Sequence, residues 1–187
     1  MELNIRTASI AAACLIAANK DVRYYLNGVH IKSVGGFITV QSTNGSMGFE
    51  NQWVDGDAPT LESLIIPLAI AKEIGKVKTP QVTISGPDEA GRYTCGGRIF
   101  NPIEGRYPDM ARVIPQRDSA KDHLMANHDF EQLAICQKAM RTATGIKGKL
   151  WRIQNAENNN ASLIYREEHS HPLCLIVPFN DKVYKDN

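Results

Sequence analysis

One pattern constrains the fold of this chain more than any other: a helical segment followed by short alternating strands, which occurs three times. Each helical segment places apolar residues at helical spacing among good helix formers, and each following stretch alternates apolar and polar residues between turn residues. The pattern returns about every 60 residues, which is the scale of a repeated supersecondary unit. The chain is therefore predicted to be an α+β protein built from three related units.

The helices of the three units are predicted at residues 5–19, 67–75 and 130–143. Pro67 suits the first turn of the second helix, because its missing N–H would be unpaired there in any case. Gly35 and Gly36 separate two alternating runs and predict a hairpin, whereas residues 51–59 are rich in Asn, Gly and Asp and predict a loop. The strands are predicted at residues 24–33, 37–42, 63–67, 81–85, 91–94, 98–100, 150–155, 162–165 and 173–177.

The composition is that of an ordinary globular protein. The chain has 187 residues, of which 43% are hydrophobic, and a formal net charge of +1. These values exclude a disordered tail protein, a collagen-like fibre and a disulfide-stapled miniprotein. They also argue against a protein that holds nucleic acid by bulk positive charge, so any DNA contact requires a local arrangement of cations. No apolar run approaches the roughly 18 residues of a membrane-spanning helix.

The cysteines and the N-terminal region favour a cytoplasmic protein. Residues 9–18 are apolar, and residues 11–14 (AAAC) look like a lipoprotein cleavage box. However, the negative charge of Glu2 offsets the positive charge of Arg6 in the N-terminal flank, and the apolar run before Cys14 is shorter than a signal peptide requires. The cysteines are widely spaced and form no CxxC pair, so they are predicted to be reduced and mostly buried. They are Cys14, Cys95, Cys136 and Cys174.

Several blocks of sequence resemble one known family. Residues 21–29 (DVRYYLNGV) and 40–45 (VQSTNG) are similar to the middle domain of the bacterial replicative sliding clamp, the DNA polymerase III beta subunit, with Asn44 in the acidic place of a threonine-acid-glycine loop. Residues 65–67 (IIP) resemble the family's strand-to-helix entry, and residues 104–115 (EGRYPDMARVIP) its glycine-aromatic-proline-aspartate segment. Residues 174–179 (CLIVPF) resemble the terminal strand and tail. The order and spacing match over about residues 1–117.

The resemblance implies the DNA clamp fold, in which repeated half-domains place helices on one face and antiparallel sheets on the other. It implies a complete clamp-like domain at residues 1–117, similar to the middle domain, and a half-domain at residues 118–187, similar to the C-terminal half of the last domain. Two full clamp chains supply six domains to a ring, but two copies of this chain supply only three. A homo-oligomer is expected, either a dimer that pairs the third half-domains or a tetramer.

The resemblance also implies a function without catalysis. The expected role is that of a replication accessory or processivity factor that self-associates around double-stranded DNA and tethers polymerase or repair proteins carrying clamp-binding motifs. A phage or prophage origin is part of this hypothesis. The alternative is an interaction protein without DNA function, a decoy or adaptor that binds motif-bearing partners or the host clamp.

Basic residues near the predicted helices are the candidates for DNA contact. Such residues would hold phosphates without reading bases, and they cluster towards the helix ends in all three units. Cations at helix C-termini also complement the helix dipole in proteins that bind no DNA, and this second interpretation stays open. The DNA-facing candidates are Arg6, Lys20, Arg23, Lys72, Lys76, Lys78, Lys138, Arg141, Lys147 and Lys149.

A peptide-binding groove is the second candidate site that the resemblance implies. Apolar walls suit the hydrophobic anchors of an extended peptide, although the same strand residues could simply belong to the core. The family usually carries histidine, arginine and leucine where this chain has residues 46–48, and arginine in place of Asn180, so an altered specificity is expected. The candidate walls are Leu26, Thr43, Gly45, Ser46, Met47, Gly48, Pro115, Leu175, Ile176, Val177, Pro178 and Phe179.

Catalytic and metal-binding patterns find little support in the sequence. There is no GxSxG motif or P-loop, and the histidines at positions 123, 128, 169 and 171 lack cysteine ligands at metal-site spacing. Trp53 and Trp151 could stack on bases in a single-strand channel, but we expect them to pack against sheets. The chain is therefore predicted to have no catalytic residue, no metal and no cofactor.

Overall fold

The computed structural model describes residues 1–114, 128–147, 152–154, 161–166 and 169–177. These residues form three α-helices, eleven strands and two short 3₁₀ helices at Tyr24–Leu26 and Met110–Arg112. The elements are β1 (Glu2–Arg6), α1 (Thr7–Ile16), β2 (Gly28–Val34), β3 (Phe37–Thr43), β4 (Met47–Val54), β5 (Leu61–Pro67), α2 (Leu68–Ile74), β6 (Gln81–Ser85), β7 (Tyr93–Cys95), β8 (Arg98–Phe100), α3 (Phe130–Thr144), β9 (Arg152–Gln154), β10 (Ser162–Arg166) and β11 (His169–Ile176).

Local chemistry explains where two of the helices begin and end. The helix α3 starts after Asp129, whose carboxylate accepts a hydrogen bond from the Glu131 backbone N–H at 2.7 Å. It stops at Gly145, which has the left-handed φ of 70° that ends many helices. The helix α2 begins directly after Pro67. The predicted starts of both helices therefore agree with the structure to within one residue.

Two predicted segments are wrong in their type. The first helix was expected from residue 5, but residues 2–6 form β1, in which Leu3 and Ile5 are buried and their neighbours are exposed. Residues 51–54 were expected in a loop, but they complete β4. The polar Asn51 tolerates this buried strand because its side-chain amide donates to the Ser9 hydroxyl of α1 at 2.7 Å. A shorter misassignment concerns residues 24–26, which form a 3₁₀ helix before β2.

The first two units, taken here as β1–β4 with α1 and as β5–β8 with α2, exchange strands. One sheet has the order β1-β6-β7-β8, and the other has the order β5-β2-β3-β4-β11-β10-β9. The strand β1 of the first unit pairs with β6 of the second, while β5 of the second unit pairs with β2 of the first, both antiparallel. Each of the two sheets therefore contains strands from both units.

The third unit joins the first through a seam between strands β4 and β11. These strands pair antiparallel, with Met47 opposite Ile176 and Gly48 opposite Leu175. The helix α1 packs against α2 on one side and α3 on the other, and both α1 and α3 contact β4. The helices therefore form one layer against the sheets, with the main apolar core between them.

The opposite face of the seven-stranded sheet is partly covered by residues 101–114, here called the connector. Its Ile103 N–H donates to the Ile65 carbonyl oxygen at 2.9 Å, and its Tyr107 packs in a small cluster with Leu26 and Ile65. Met110 then packs against Leu175 and its apolar neighbours. The connector thus runs from the β5 side of the sheet to the seam between β4 and β11.

The remaining expectations about the chain concern membranes and thiols. None of the described helices is long and apolar enough to cross a membrane. Cys95, Cys136 and Cys174 are buried free thiols, and Cys14 is partly buried. Burial raises the pKa of Cys14 and of Cys95 to about 12, so both are held in the neutral, unreactive form.

Candidate functional site

A groove of about 570 Å³ lies where the connector crosses the seam between β4 and β11. One wall is the turn from β3 to β4, the second is the connector, and β11 closes the third side. The lining residues are Arg23, Leu26, Thr43, Gly45, Ser46, Met47, Gly48, Pro108, Asp109, Met110, Arg112, Val113, Ile114, Ala161, Leu175 and Val177.

The turn wall is held by side-chain hydrogen bonds to its own backbone. Asn44 Oδ1 accepts from the N–H groups of Ser46 at 2.9 Å and Met47 at 2.8 Å, and the Thr43 hydroxyl donates to the Met47 carbonyl oxygen at 2.7 Å. Gly45 has a φ of +94°, a conformation that favours glycine. These hydrogen bonds fix a tight turn, and residues 45 and 46 of the turn line the groove.

The floor of the groove is apolar and closely packed. Met110 and Leu175 are nearly fully buried and belong to one cluster with Leu163 and Leu173. Gly48 lies between them, and a Cβ atom on Gly48 would lie 2.5 Å from Met110 Cε. The flexible methionine side chain therefore lies directly against the backbone of Gly48, in space that a side chain at residue 48 would need.

Two arginine–carboxylate pairs stand at the rim of the groove. Arg23 contacts Asp21 through two hydrogen bonds, with its Nη2 at 2.8 Å from Asp21 Oδ2, and Arg112 Nε lies 3.2 Å from Asp109 Oδ2. Hydrogen bonds from Arg23 lower the pKa of Asp21 to about 2. The rim therefore offers two guanidinium groups that already have acidic partners within the chain.

Tyr107 links the connector to the turn wall. The backbone N–H of Thr43 donates to the Tyr107 hydroxyl oxygen at 2.9 Å. The Tyr107 ring stacks on the His30 ring, with centroids 4.6 Å apart and planes inclined by 13°. Because Thr43 lines the groove and Tyr107 lies in the connector, one buried side chain joins two of the three walls.

His30 is the centre of a buried polar row on the same sheet face. Gln41 Nε2 donates to Glu50, so Gln41 Oε1, 3.0 Å from His30 Nδ1, accepts a hydrogen bond from the N–H of that nitrogen. His30 Nε2 then accepts from the Ser63 hydroxyl, 3.0 Å away. Burial, with a smaller effect from the positive charge of Lys32, lowers the pKa of His30 to about 4, although the bond to Gln41 opposes the shift.

Eight of the predicted groove residues do line the groove, and they come from three separate parts of the sequence. They are Leu26, Thr43, Gly45, Ser46, Met47, Gly48, Leu175 and Val177. Ile176 does not line it, since side chains alternate along β11 and Ile176 lies fully buried in the main core. Pro115, Pro178 and Phe179 lie outside the described residues.

The sequence analysis missed the connector wall. Residues 108–110 and 112–114 line the groove, and so do Arg23 and Ala161. The signal was present, because residues 104–115 carry part of the family resemblance, but only its final proline was assigned to the groove. The proline and aspartate at positions 108 and 109 start a 3₁₀ helix, in which Asp109 accepts from the Ala111 N–H at 3.2 Å, and this turn aims Met110 at the floor.

The predicted DNA-facing residues separate into two groups. Six exposed cations lie on or just after helices α2 and α3: Lys72, Lys76, Lys78, Lys138, Arg141 and Lys147. The helix α1 carries no cation of its own, so the expectation of a basic end on all three helices is wrong for α1. The remaining three described candidates flank α1 or lie at the groove: Arg6 directly precedes α1, with its guanidinium carbon 4.9 Å from the Trp53 ring centroid, Lys20 is in the loop after α1, and Arg23 is at the groove. Lys149 lies outside the described residues.

Comparisons with curated proteins find bacterial clamps. No family model matches the chain. The chain is 25% identical over 145 residues to the beta sliding clamp of Treponema pallidum and 26% identical over 150 residues to that of Escherichia coli K12. Both matches cover 74% of the chain, but only 38% and 39% of the relatives. The chain thus matches less than two fifths of the length of these relatives.

Comparisons of the structure give the same answer for the fold. The DNA polymerase sliding clamp from Pseudomonas aeruginosa matches with a TM-score of 0.69 at 15% identity, over 96% of this chain and 67% of that one. The DNA polymerase III beta subunit from Thermotoga maritima matches with a TM-score of 0.72 at 12% identity, over 96% of this chain and 65% of that one. The prediction of an α+β clamp fold is therefore confirmed, and the chain is sliding-clamp-like in sequence as well.

Proposed function

We propose that this sliding-clamp-like chain is a DNA-replication accessory or processivity factor that self-associates around double-stranded DNA and tethers polymerase or repair proteins through its groove. The observation that carries this proposal is the groove itself, whose turn, connector and β11 walls meet at the seam between the first and third units. We divide the chain into a clamp-like domain at residues 1–117 and a half-domain at residues 118–187.

The groove suits an extended peptide with hydrophobic anchors. Met110 and Leu175 form its closely packed apolar floor, and the connector wall adds the apolar side chains of Val113 and Ile114. Apolar anchors in a desolvated pocket carry most of the binding energy of such contacts. The arginines at positions 23 and 112 can also exchange their internal carboxylates for an acidic group on the peptide.

The helix layer supplies the proposed DNA contacts. The exposed cations of α2 and α3 flank an uncharged α1, so a phosphate backbone that crosses the layer would meet positive charge on both sides. Contacts of this kind neutralise phosphates and release counterions without reading bases. Binding is therefore expected to be independent of sequence and to weaken as salt increases.

Self-association is a further part of the proposal. The chain is proposed to act as a dimer or tetramer, in the cytoplasm and without catalytic activity. Light scattering after size-exclusion chromatography measures the oligomer directly. A monomer that binds neither nicked nor circular DNA would contradict the clamp proposal.

The groove is tested with a labelled peptide that carries the clamp-binding sequence of a bacterial replicative polymerase. Fluorescence anisotropy should show saturable binding that Val113→Asp weakens about tenfold or more, because a carboxylate in the apolar wall is desolvated without a partner. Val113 is 51% exposed, so the change should leave the fold intact. Val54→Asp is the matched control, since Val54 is an exposed residue at the far end of β4 and does not line the groove.

The DNA surface is tested separately. Reversing Lys138 and Arg141 to glutamate should weaken the retention of a nicked circular duplex and reduce its salt dependence. The double reversal Arg92→Glu/Arg106→Glu, in the loop before β7 and in the connector, is the control for the same change of charge outside the helices. Equal DNA binding by both variants would remove the helix face from the proposal, while peptide binding without DNA binding would favour the adaptor function.

A further inference from the structure

We infer that Tyr107 is a positioning residue that sets the separation of two groove walls without lining the groove. The inference rests on the proposed peptide-binding function, which it extends by naming what holds the site open. Tyr107 is absent from the groove lining, yet it lies in the connector, two residues before Asp109, and only 6% of its surface is exposed. Its role must therefore act through the residues that it contacts.

The first contact is the hydrogen bond to the turn wall. The Thr43 N–H donates to the Tyr107 hydroxyl oxygen at 2.9 Å. Thr43 is the last residue of β3, and its own hydroxyl organises the turn by accepting from the Gly45 N–H at 3.0 Å and donating to Met47. A buried N–H needs a partner, so the phenol hydroxyl fixes where this end of the connector can lie.

The second contact fixes the orientation of the ring. Tyr107 stacks on His30, and both nitrogens of the His30 ring are held, one by Gln41 and the other by Ser63. Leu26, which lines the groove, packs in the same cluster as Tyr107. With its ring confined on one face and its hydroxyl bonded at the tip, Tyr107 has a single orientation.

The third observation is how sparsely the rest of the connector is attached. Residues 104–106 and 108–109 are exposed, so Tyr107 is the only buried side chain between Ile103 and Met110. The Ile103 N–H donates to the Ile65 carbonyl before this span, and Met110 reaches the groove floor after it. Loss of the Tyr107 bond would therefore free the segment that aims Met110 and the following wall residues at the groove.

Tyr107→Phe tests the inference in the full chain, because it removes one oxygen atom and keeps the ring. Tyr93→Phe is the matched control: it also removes a phenol oxygen, from a half-buried ring that stacks on Phe100 at 6.2 Å in the other sheet. Hydrogen exchange followed by mass spectrometry should speed up about tenfold at the Thr43 amide and across residues 103–114 in Tyr107→Phe, and should not change there in the control.

The affinity for the labelled polymerase peptide distinguishes a positioning role from a role in stability alone, because a loss of stability would not change the affinity of fully folded protein. At a temperature where all variants are fully folded, Tyr107→Phe should weaken binding about fivefold to tenfold, although residue 107 does not touch the groove. Unchanged affinity, or faster exchange spread evenly over the whole chain, would overturn the inference. If the wild-type chain binds no peptide but exchange still rises only locally, the proposed function fails while Tyr107 keeps its structural link.

Discussion

We expect acid to destabilise this fold through protonation of His30, at a higher pH than that at which Asp21 gains a proton. In the folded chain, burial lowers the pKa of His30 to about 4, against the ordinary value of 6.5. Between these two values, the unfolded chain binds a proton at this site and the folded chain does not. Stability is therefore lost as the pH falls from about 6.5 to about 4, and it changes no further below that range.

The magnitude follows from the two pKa values. A difference of about 2.5 units corresponds to about 3 kcal/mol in full, of which about 2 kcal/mol is already lost at pH 5. The hydrogen-bonded Asp21, whose pKa is about 2, keeps its charge throughout this window. His30 alone is thus expected to contribute about 2 kcal/mol to the acid-dependent loss between pH 7 and pH 4.5.

Urea unfolding followed by circular dichroism, repeated at pH 7, 6, 5 and 4.5, measures this loss. The comparison is with His30→Gln, which keeps hydrogen-bonding groups at this position but cannot titrate. The free energy of unfolding of the wild-type chain should fall about 2 kcal/mol more than that of the variant across this range. Parallel curves for the two proteins would refute the assignment to His30.

Three further predictions concern packing and thiol chemistry. Gly28→Ala should lower the stability by about 1–3 kcal/mol, because its Cβ would lie 2.6 Å from the Ile66 backbone oxygen, whereas Gly56→Ala, with no atom within 4 Å, should be neutral in the same thermal unfolding experiment. Phe49→Ala should lower the free energy of unfolding by about 3–5 kcal/mol in urea titrations, since Phe49 is fully buried. The Cys14 thiol, with its pKa raised to about 12, should react with iodoacetamide at pH 8 only in urea; rapid labelling of the native chain would contradict this.

The elements that the sequence predicts well are those whose signals are local. Strand β6 has the predicted bounds, and α3 starts at Phe130 because Asp129 caps it. Residues 2–6 misled the prediction because their alternating pattern is short and runs directly into a helix. Strand β4 was not predicted at all, because Asn51 and the residues after it are typical of loops, and the bond of Asn51 to Ser9 depends on α1 packing above the strand.

The same distinction applies to the groove. The turn at residues 43–48 and the strand at 175–177 could be assigned because the family resemblance covers both, but their meeting depends on pairing between β4 and β11. The connector wall has no periodic signal, and its placement depends on Tyr107 reaching Thr43. The row around His30 was also not predicted, because polar residues alternating along a strand are typical of a solvent-exposed face.

The groove can be complete only after residues 169–176 have been synthesised, because β11 forms its third wall. Because β11 lies inside the seven-stranded sheet, β4 remains an open edge from the time residues 47–54 leave the ribosome until residues 169–176 follow. A chain that stalls or is cut before that point lacks the third wall and exposes a strand edge that other chains can join. Under the proposed function, a chain without β11 is expected to bind no partner peptide, because one of the three groove walls is missing.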